Sequence, residues 1–383
     1  GMRSWAIFRF LEWPALRAGL PAVFSLVFML CIASFTVVLT LGGGPAATTV
    51  EVAIYQSLRF DFDPGRAVIL SLVQLAMTGI LIALGTRLTM PMSITIGLGS
   101  RMARPDAANL GGRIADTLII AMAAIFVITP LVALTLSSLG ADYDRLFHET
   151  IVWQAMLTSL WIGGLAALLC LALAWSLVMA VHRANRITAR GIRADTMRTG
   201  FVRSFVMACE TGSNLILVMP PIVLGAGWFI MLHGLGASFA MAPLVVVTIN
   251  ALMALPYAVR ILGPAQANAA ANHDRLCDSL GISGWARWRI VDWPVLRPVF
   301  GLAFAFALVL SLGDLGAVAL FGSQDLTTLP LLILQRMGSY RTSDAVGLAV
   351  VLMLFCLFLI MLAERGAERS GGTRSGSNEK GRT

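Results

Sequence analysis

Eight long apolar runs decide what this chain can fold into. They fall at about 20–42, 67–86, 115–137, 151–181, 205–232, 239–262, 298–321 and 344–363. Crossing about 30 Å of hydrocarbon takes roughly 20 helical residues, and every run is of that order. The runs are apolar all round rather than along one stripe, which suits lipid and bundle interiors. In hydrocarbon each backbone N–H and C=O must be satisfied internally, so helices are the natural form. The expected fold class is all-α, a polytopic transmembrane helix bundle. The run at 151–181 is overlong and is expected to tilt or to begin outside the hydrocarbon. Composition agrees. Of 383 residues, 58% are hydrophobic and 13% charged, against about 45–50% and about 25% in soluble domains. An ordinary soluble enzyme, a disordered chain and a disulfide scaffold are excluded.

The positive charge is almost all arginine, with Lys380 the single lysine. If residues 1–19 are cytoplasmic, the segments 1–19, 87–114, 182–204, 260–297 and 364–383 carry 23 of the 28 Lys and Arg. The other side holds Arg59, Arg66, Arg145, Arg336 and Arg341. The positive-inside rule then places both termini in the cytoplasm. The arginine clusters are this topology signal and need no nucleic-acid partner. The first run is too long for a signal-peptide core, and no A-x-A-like site follows it.

Catalytic and metal chemistry find no support. G-x-x-x-x-G-K-[ST], H-E-x-x-H and G-x-S-x-G are all absent from the sequence. The cysteines (Cys31, Cys170, Cys209, Cys277, Cys356) form no C-x-x-C, and are read as small buried hydrophobes. No bound cofactor or metal is expected, and the chain is not expected to be an enzyme.

The most informative feature is an internal repeat. Residues 1–17, GMRSWAIFRFLEWPALR, match residues 281–297, GISGWARWRIVDWPVLR, at Gly1/Gly281, Trp5/Trp285, Arg9/Arg289, Trp13/Trp293, Pro14/Pro294, Leu16/Leu296 and Arg17/Arg297. Thr48, Thr49 and Gln56 then correspond to Thr327, Thr328 and Gln335, and Ala67-Val68 to Ala345-Val346. Both copies precede a span on the same side, which defines a parallel repeat. Two equivalent elements imply a partner with two equivalent subunits. Trp5, Phe8 and Leu11, like Trp285, Trp288 and Val291, fall at i, i+3, i+6, while Arg9, Glu12, Arg287, Arg289 and Asp292 face elsewhere. This reads as a short amphipathic helix, stopped or re-aimed by Pro14 and Pro294, with Gly281 allowing a tight turn. An interfacial helix anchored by tryptophan is the alternative.

These residues resemble the permeases of binding-protein-dependent ABC importers. The family's signature is E-A-A, three residues, Gly, nine residues and I-x-L-P. Gly281 followed after nine residues by Val291-Asp292-Trp293-Pro294 fits the second part, as does Gly1 with Leu11-Glu12-Trp13-Pro14. Arg275-Leu276-Cys277 stands where E-A-A is expected. The strings LGGGPAATTVEVAIYQ, NALMALPYAVRIL, LCDSLGISGWARWRI and SLGDLGAVALFGSQDLTTLPLLILQRMGSYR carry the likeness to the two-halved thiamine-importer permeases, with iron(III) and polyamine permeases as same-architecture alternatives. An ion-coupled secondary transporter is the less favoured class.

The resemblance implies coupling helices at Gly1, Trp5, Phe8 and Pro14 and at Gly281, Trp285, Trp288 and Pro294. Each would be gripped by one of two copies of an ATPase subunit, which alone uses ATP. A periplasmic solute-binding protein would dock on segments 43–66, 138–150, 233–238 and 322–343 of a multi-pass bacterial inner-membrane protein. Whether thiamine, its phosphates or a related base is carried stays open. Residues 1–113 are expected to be the C-terminal part of a first permease repeat, 114–365 a complete second repeat with a coupling loop at about 263–297, and 366–383 a disordered cytoplasmic tail. A complete first copy would need roughly 165 further residues upstream and about twelve spans in all. The chain is thus expected to be a shortened form of a longer permease.

Inside the runs lie Glu210, Asn214, Asn250 and Asp314. An ionised carboxylate at mid-membrane costs about 2.5–3.5 kcal/mol and usually faces a cavity or a partner. Asp314 is flanked by Gly313 and Gly316, which allow close helix contact. Met219-Pro220-Pro221 and Pro256 are expected to break their helices. Trp228, Phe229 and Tyr257 suit stacking on a cationic aromatic ring. Asp314, Glu210, Asn250, Trp228 and Tyr257 are therefore the candidate translocation-pathway residues. Helix–helix hydrogen bonding is the plainer reading of the polar ones.

Overall fold

The computed structural model describes residues 13–32, 34–42, 48–88, 110–189, 219–234, 241–282, 284–322 and 326–379, with isolated positions at 6, 9, 10, 204, 206, 212, 216 and 236. Among them there is no strand. The helices are α1 (Trp13–Ile32), α2 (Phe35–Leu41), α3 (Val50–Arg59), α4 (Pro64–Leu88), α5 (Leu110–Ser138), α6 (Tyr143–His148), α7 (Thr150–Ala189), α8 (Pro221–Gly234), α9 (Ala242–Ser279), α10 (Gly284–Arg287), α11 (Trp293–Gly313), α12 (Gly316–Phe321), α13 (Leu329–Gly338) and α14 (Thr342–Glu379). Among the described residues six stretches are long and apolar enough to cross a membrane: Pro64–Leu81, Ile114–Ser138, Thr150–Ala184, Ala242–Ser279, Gly284–Gly313 and Thr342–Arg365. The chain is a multi-pass membrane protein.

Small residues build the centre. Ala166, Cys170 and Ala174 recur every four residues along α7, and none exceeds 1% exposure. This face packs against Ala251, Ala254 and Ala258 of α9 and Ala303 and Ala307 of α11. In lipid the hydrophobic effect does not drive helices together, so close backbone approach and dispersion carry the association. Around this trio α14 packs on α11, and α5 packs on α14. Large apolar side chains of α5, such as Ile120 and Phe126, point outward, as a lipid-facing helix requires.

The repeat is visible in the backbone. The short helices α3 and α13 each start after an extended threonine, Thr49 (φ −98°, ψ 165°) and Thr328 (φ −96°, ψ 164°). Each is followed by a non-glycine residue in the left-handed region, Phe62 (φ 53°) and Tyr340 (φ 58°), an uncommon conformation. Ala67 and Ala345 are then buried at the same place in α4 and α14. The two half-units meet where α3 and α4 pack on α8 and α12. Across that seam Arg59 donates to the Gly322 carbonyl at 3.2 Å.

Several expectations need correction. The run at 20–42 is divided between α1 and α2 at Ser34. The run at 298–321 is not one span, because α11 ends at Gly313 and the short α12 restarts after Asp314 and Leu315. Segment 263–297 is mostly helix rather than loop, since α9 continues unbroken through Pro256 and Pro264 to Ser279. Its neighbours on the trio hold it straight enough to tolerate the lost bonds. The segments 43–66, 138–150 and 322–343 contain helices α3, α6 and α13. Residues 366–379, expected to be disordered, continue α14, for which helix nucleation is already complete upstream. Cys31 is exposed, whereas Cys170 and Cys277 are buried. The overlong run is confirmed: α7 has 40 residues, about 60 Å at 1.5 Å per residue, twice the hydrocarbon thickness.

At Gly347 an added Cβ would lie 2.8 Å from the Ala141 Cβ and 3.2 Å from Leu146. Gly347→Val is expected to lower stability by about 1–3 kcal/mol in thermal unfolding of the detergent-purified protein. Gly79→Ala, with open space around it, is expected to leave stability unchanged or raise it slightly.

Candidate functional site

Helix α9 ends in a motif built around Gly281. Leu280 N–H donates to the Leu276 carbonyl and Ile282 N–H to the Cys277 carbonyl, both at 3.0 Å. Gly281 lies between them at φ +65°. This is a Schellman stop, whose left-handed position favours glycine. A second left-handed glycine, Gly284 (φ +61°), then opens α10. Residues Trp288–Asp292 form a π-helical turn that runs directly into α11. The expected stop at Pro294 is not there. Proline lacks an N–H and its ring crowds the carbonyl four residues earlier, and a π turn accommodates that within a continuous helix. In the first copy Arg9 and Phe10 are π-helical as well, and Pro14 stands exposed just inside the start of α1. Gly1, Trp5 and Phe8 lie outside the described residues.

The turn is anchored on one face and bare on the other. Arg287 donates to Asp274 Oδ1 of α9 at 2.5 Å and to Asp292 Oδ2 at 3.3 Å. Asp274 also pairs with Arg186 of α7 at 3.5 Å. Arg287 and Asp292, expected to face away, are therefore turned inward as an ion-paired clip. Trp288 joins an aromatic cluster, with centroids 5.0 Å from Trp175, 6.1 Å from Phe300 and 5.8 Å from Trp293. Trp285 is 74% exposed, and Ile290 and Arg289 are exposed beside it. The amphipathic reading holds for Trp288 and fails for Trp285, whose indole stays largely exposed.

The interior polar residues sort differently. Asn250 is buried on α9 and donates through Nδ2 to Ser311 Oγ of α11 at 2.7 Å, leaving its Oδ1 without a partner. One turn further on, Asp314 accepts from the backbone N–H groups of Gly316 (3.2 Å) and Ala317 (3.4 Å). It caps the short α12, a role its sequence context did not show. Gly316 does make a close approach, since an added Cβ would lie 3.2 Å from Pro221, but Gly313 faces open space. Tyr257 stacks near Phe306 at 5.6 Å, and Phe229 lies against His233 and Phe321. Trp228 is partly exposed on α8 and forms no ring contact with Tyr257 among the described residues. Glu210 and Asn214 lie outside the described residues.

Sequence reasoning missed Glu51. It sits in the first turn of α3, fully buried, and neither carboxylate oxygen has a partner among the described residues. Burial, reinforced by the negative charge of Asp314, pushes its carboxyl up to about 8. Asp314 thus faces a second carboxylate across the half–half seam. The signal was a lone acid inside the apolar stretch VEVAIYQSL, obscured because that segment read as an outer loop.

At the opposite end from Gly281, Arg145, Arg336 and Arg341 share Glu149 and Asp344. Arg145 meets Asp344 at 2.6 Å, Arg341 meets Asp344 at 2.6 Å and Glu149 at 3.0 Å, and Arg336 bonds Glu149. This network ties α6 and α7 to α13 and α14.

The π turn that leads from Gly281 into α11, the π-helical Arg9 and Phe10 ahead of α1, and the long apolar helices among the described residues define a polytopic membrane bundle of the permease type. The comparisons agree. The chain is 51% identical over 368 residues to the thiamine transport system permease protein ThiP of Brucella abortus (strain 2308), covering 96% of this chain and 65% of the relative. Identity is 40% to the protein of the same name in Escherichia coli (strain K12), covering 95% and 66%, and 35% to that of Haemophilus influenzae, covering 96% and 66%. No family model matches. The chain spans about 65% of the length of the relatives it matches. Along nearly its whole length the chain is similar to these transport permeases.

Glu51 supplies a pH test. Its carboxyl is ordinary in the unfolded chain, near 4.5, and raised in the fold to about 8. Between those values the unfolded state loses a proton that the folded state keeps, so stability falls as pH rises through that window. Glu51→Gln is expected to match the parent in thermal unfolding at pH 4 and to be the more stable of the two at pH 8.

Proposed function

We propose that this chain is the membrane permease subunit of an ABC importer that moves thiamine or its phosphates across the bacterial inner membrane. The names of its relatives support the substrate class. The arginine distribution supports cytoplasmic termini. The chain itself performs no catalysis and holds no cofactor; a separate ATPase subunit supplies the energy, one copy for each half-unit. A periplasmic solute-binding protein delivers the cargo to the end where the Arg145–Glu149–Asp344 network holds α6, α13 and α14 together.

The observation that carries this reading is the turn from Gly281 to Pro294. Its inner face is fastened to α9 by Arg287 and to α7 and α11 by Trp288, while Trp285 is presented outward. Force applied at Trp285 is therefore passed to the central trio and into α11 without a hinge, because the π turn is continuous with the span. Closure of the two ATPase subunits draws the two turns together and shifts the half–half seam between α3, α8 and α12. Glu51, Asp314 and Asn250 lie at or beside that seam. A cationic solute crossing there meets two carboxylates, one with no internal partner.

In the assembled importer, reconstituted with its ATPase and binding protein, Trp285→Ala and Gly281→Val are expected to cut solute-stimulated ATP hydrolysis and uptake at least tenfold with normal membrane insertion. Normal coupling in both variants would remove the docking role. Asp314→Asn separates the two roles of that side chain. Unchanged uptake at normal expression leaves it a helix cap, whereas a selective loss for cationic cargo places it in the pathway.

A further inference from the structure

Behind the exposed Trp285 the turn does not close fully on the bundle. A cavity of about 580 Å³ separates it from α7 and α9, and its walls include Trp175, Trp285, Trp288, Arg183, Gln266 and Asp292. That volume falls within the usual range of small-molecule sites. Gln266 is 2% exposed and Asp292 7%, yet Gln266 Oε1 and Asp292 Oδ1 have no hydrogen-bond partner among the described residues. Buried acceptors in native proteins are nearly always met, and an exception calls for an explanation. The nearest guanidiniums do not supply the donors: Arg287 is committed to Asp274 and the other oxygen of Asp292, and Arg186 to Asp274 and Asp278. Arg183, exposed at the cavity wall, has no ion pair among the described residues.

We propose that this cavity binds a phosphorylated, amino-substituted nitrogen heterocycle and that the bound ligand wedges the Trp285 turn in place. The ring lies against the indoles of Trp175 and Trp288, since π faces of bases and tryptophan stack readily. Its N–H groups donate to Gln266 Oε1 and Asp292 Oδ1. Its phosphate, at the open side, meets the guanidinium of Arg183. A phosphorylated form of an aminopyrimidine vitamin and an adenine nucleotide share this chemistry. The binding claim stands apart from the transport reading. Its consequence, a brake on coupling, rests on the docking role of Trp285 proposed above.

The test uses the assembled importer in nanodiscs, without binding protein, and titrates thiamine diphosphate, AMP and unphosphorylated thiamine while following tryptophan fluorescence and bound radioligand. Thiamine diphosphate or AMP is expected to saturate and to lower basal ATP hydrolysis; whichever binds identifies the source. Unphosphorylated thiamine is expected to bind at least tenfold more weakly. Gln266→Leu and Arg183→Gln are each expected to weaken binding at least tenfold while ligand-free basal ATP hydrolysis is retained, which also shows that the variants fold. Failure of both phosphorylated probes to bind, equal binding of unphosphorylated thiamine, or parental binding in both variants overturns the proposal. These outcomes are independent of whether Trp285→Ala uncouples transport.

Discussion

Close contact between small side chains on α7, α9 and α11 is the constraint on which both ends of this molecule depend. Ala166, Cys170 and Ala174 leave no room for solvent or lipid between α7 and its neighbours. Because lipid chains are as apolar as leucine, a bundle of large residues would gain little by associating, whereas small ones let backbones approach and dispersion accumulate. The trio is therefore rigid along its length. Asp274 and Arg186 at one end, and Glu149 at the other, extend helices whose spacing is already set.

On the proposed docking role, that rigidity is what lets a turn of a few residues transmit force. Arg287 spans from α10 to α9, and its neutralisation by Asp274 and Asp292 makes a partly buried guanidinium tolerable. Trp288 packs beside it, so the turn is held through charge and through aromatic surface. The π geometry at Trp288–Asp292 then removes the joint that Pro294 would otherwise introduce. The seam between half-units is looser in character. Among the described residues it brings together Glu51 without a partner, the capping Asp314 and a bond from Arg59 to Gly322.

Much of this was legible in residue order, and the failures have physical causes. Six of the eight apolar runs correspond to long apolar helices, since hydrophobic length alone dictates a span. The Gly281 turn was legible because a left-handed position leaves a glycine signature. The repeat was legible because tryptophan and proline recur in register, and Phe62 and Tyr340 confirm it in backbone geometry. Asp292 and Arg287 were misread as outward because helical spacing was taken at 3.6 residues per turn, and a π turn rotates the faces. Asp314 was read as a bare intramembrane charge because its backbone partners, Gly316 and Ala317, become donors only when the chain breaks there. Glu51 was overlooked because nothing in its own segment tells that α8 and α12 will cover it.

By itself, the order of residues determined that this chain is a helical membrane bundle with a glycine-led turn at Gly281 before α11 and a pattern at Thr49–Ala67 repeated at Thr328–Ala345, since those properties follow from local hydrophobicity, backbone sterics and repetition. Only the tertiary structure decided which side chain of that turn stays exposed, which carboxylate is buried without a partner among the described residues and where an aromatic-walled cavity opens, because each depends on what distant helices bury, and burial is not a local property.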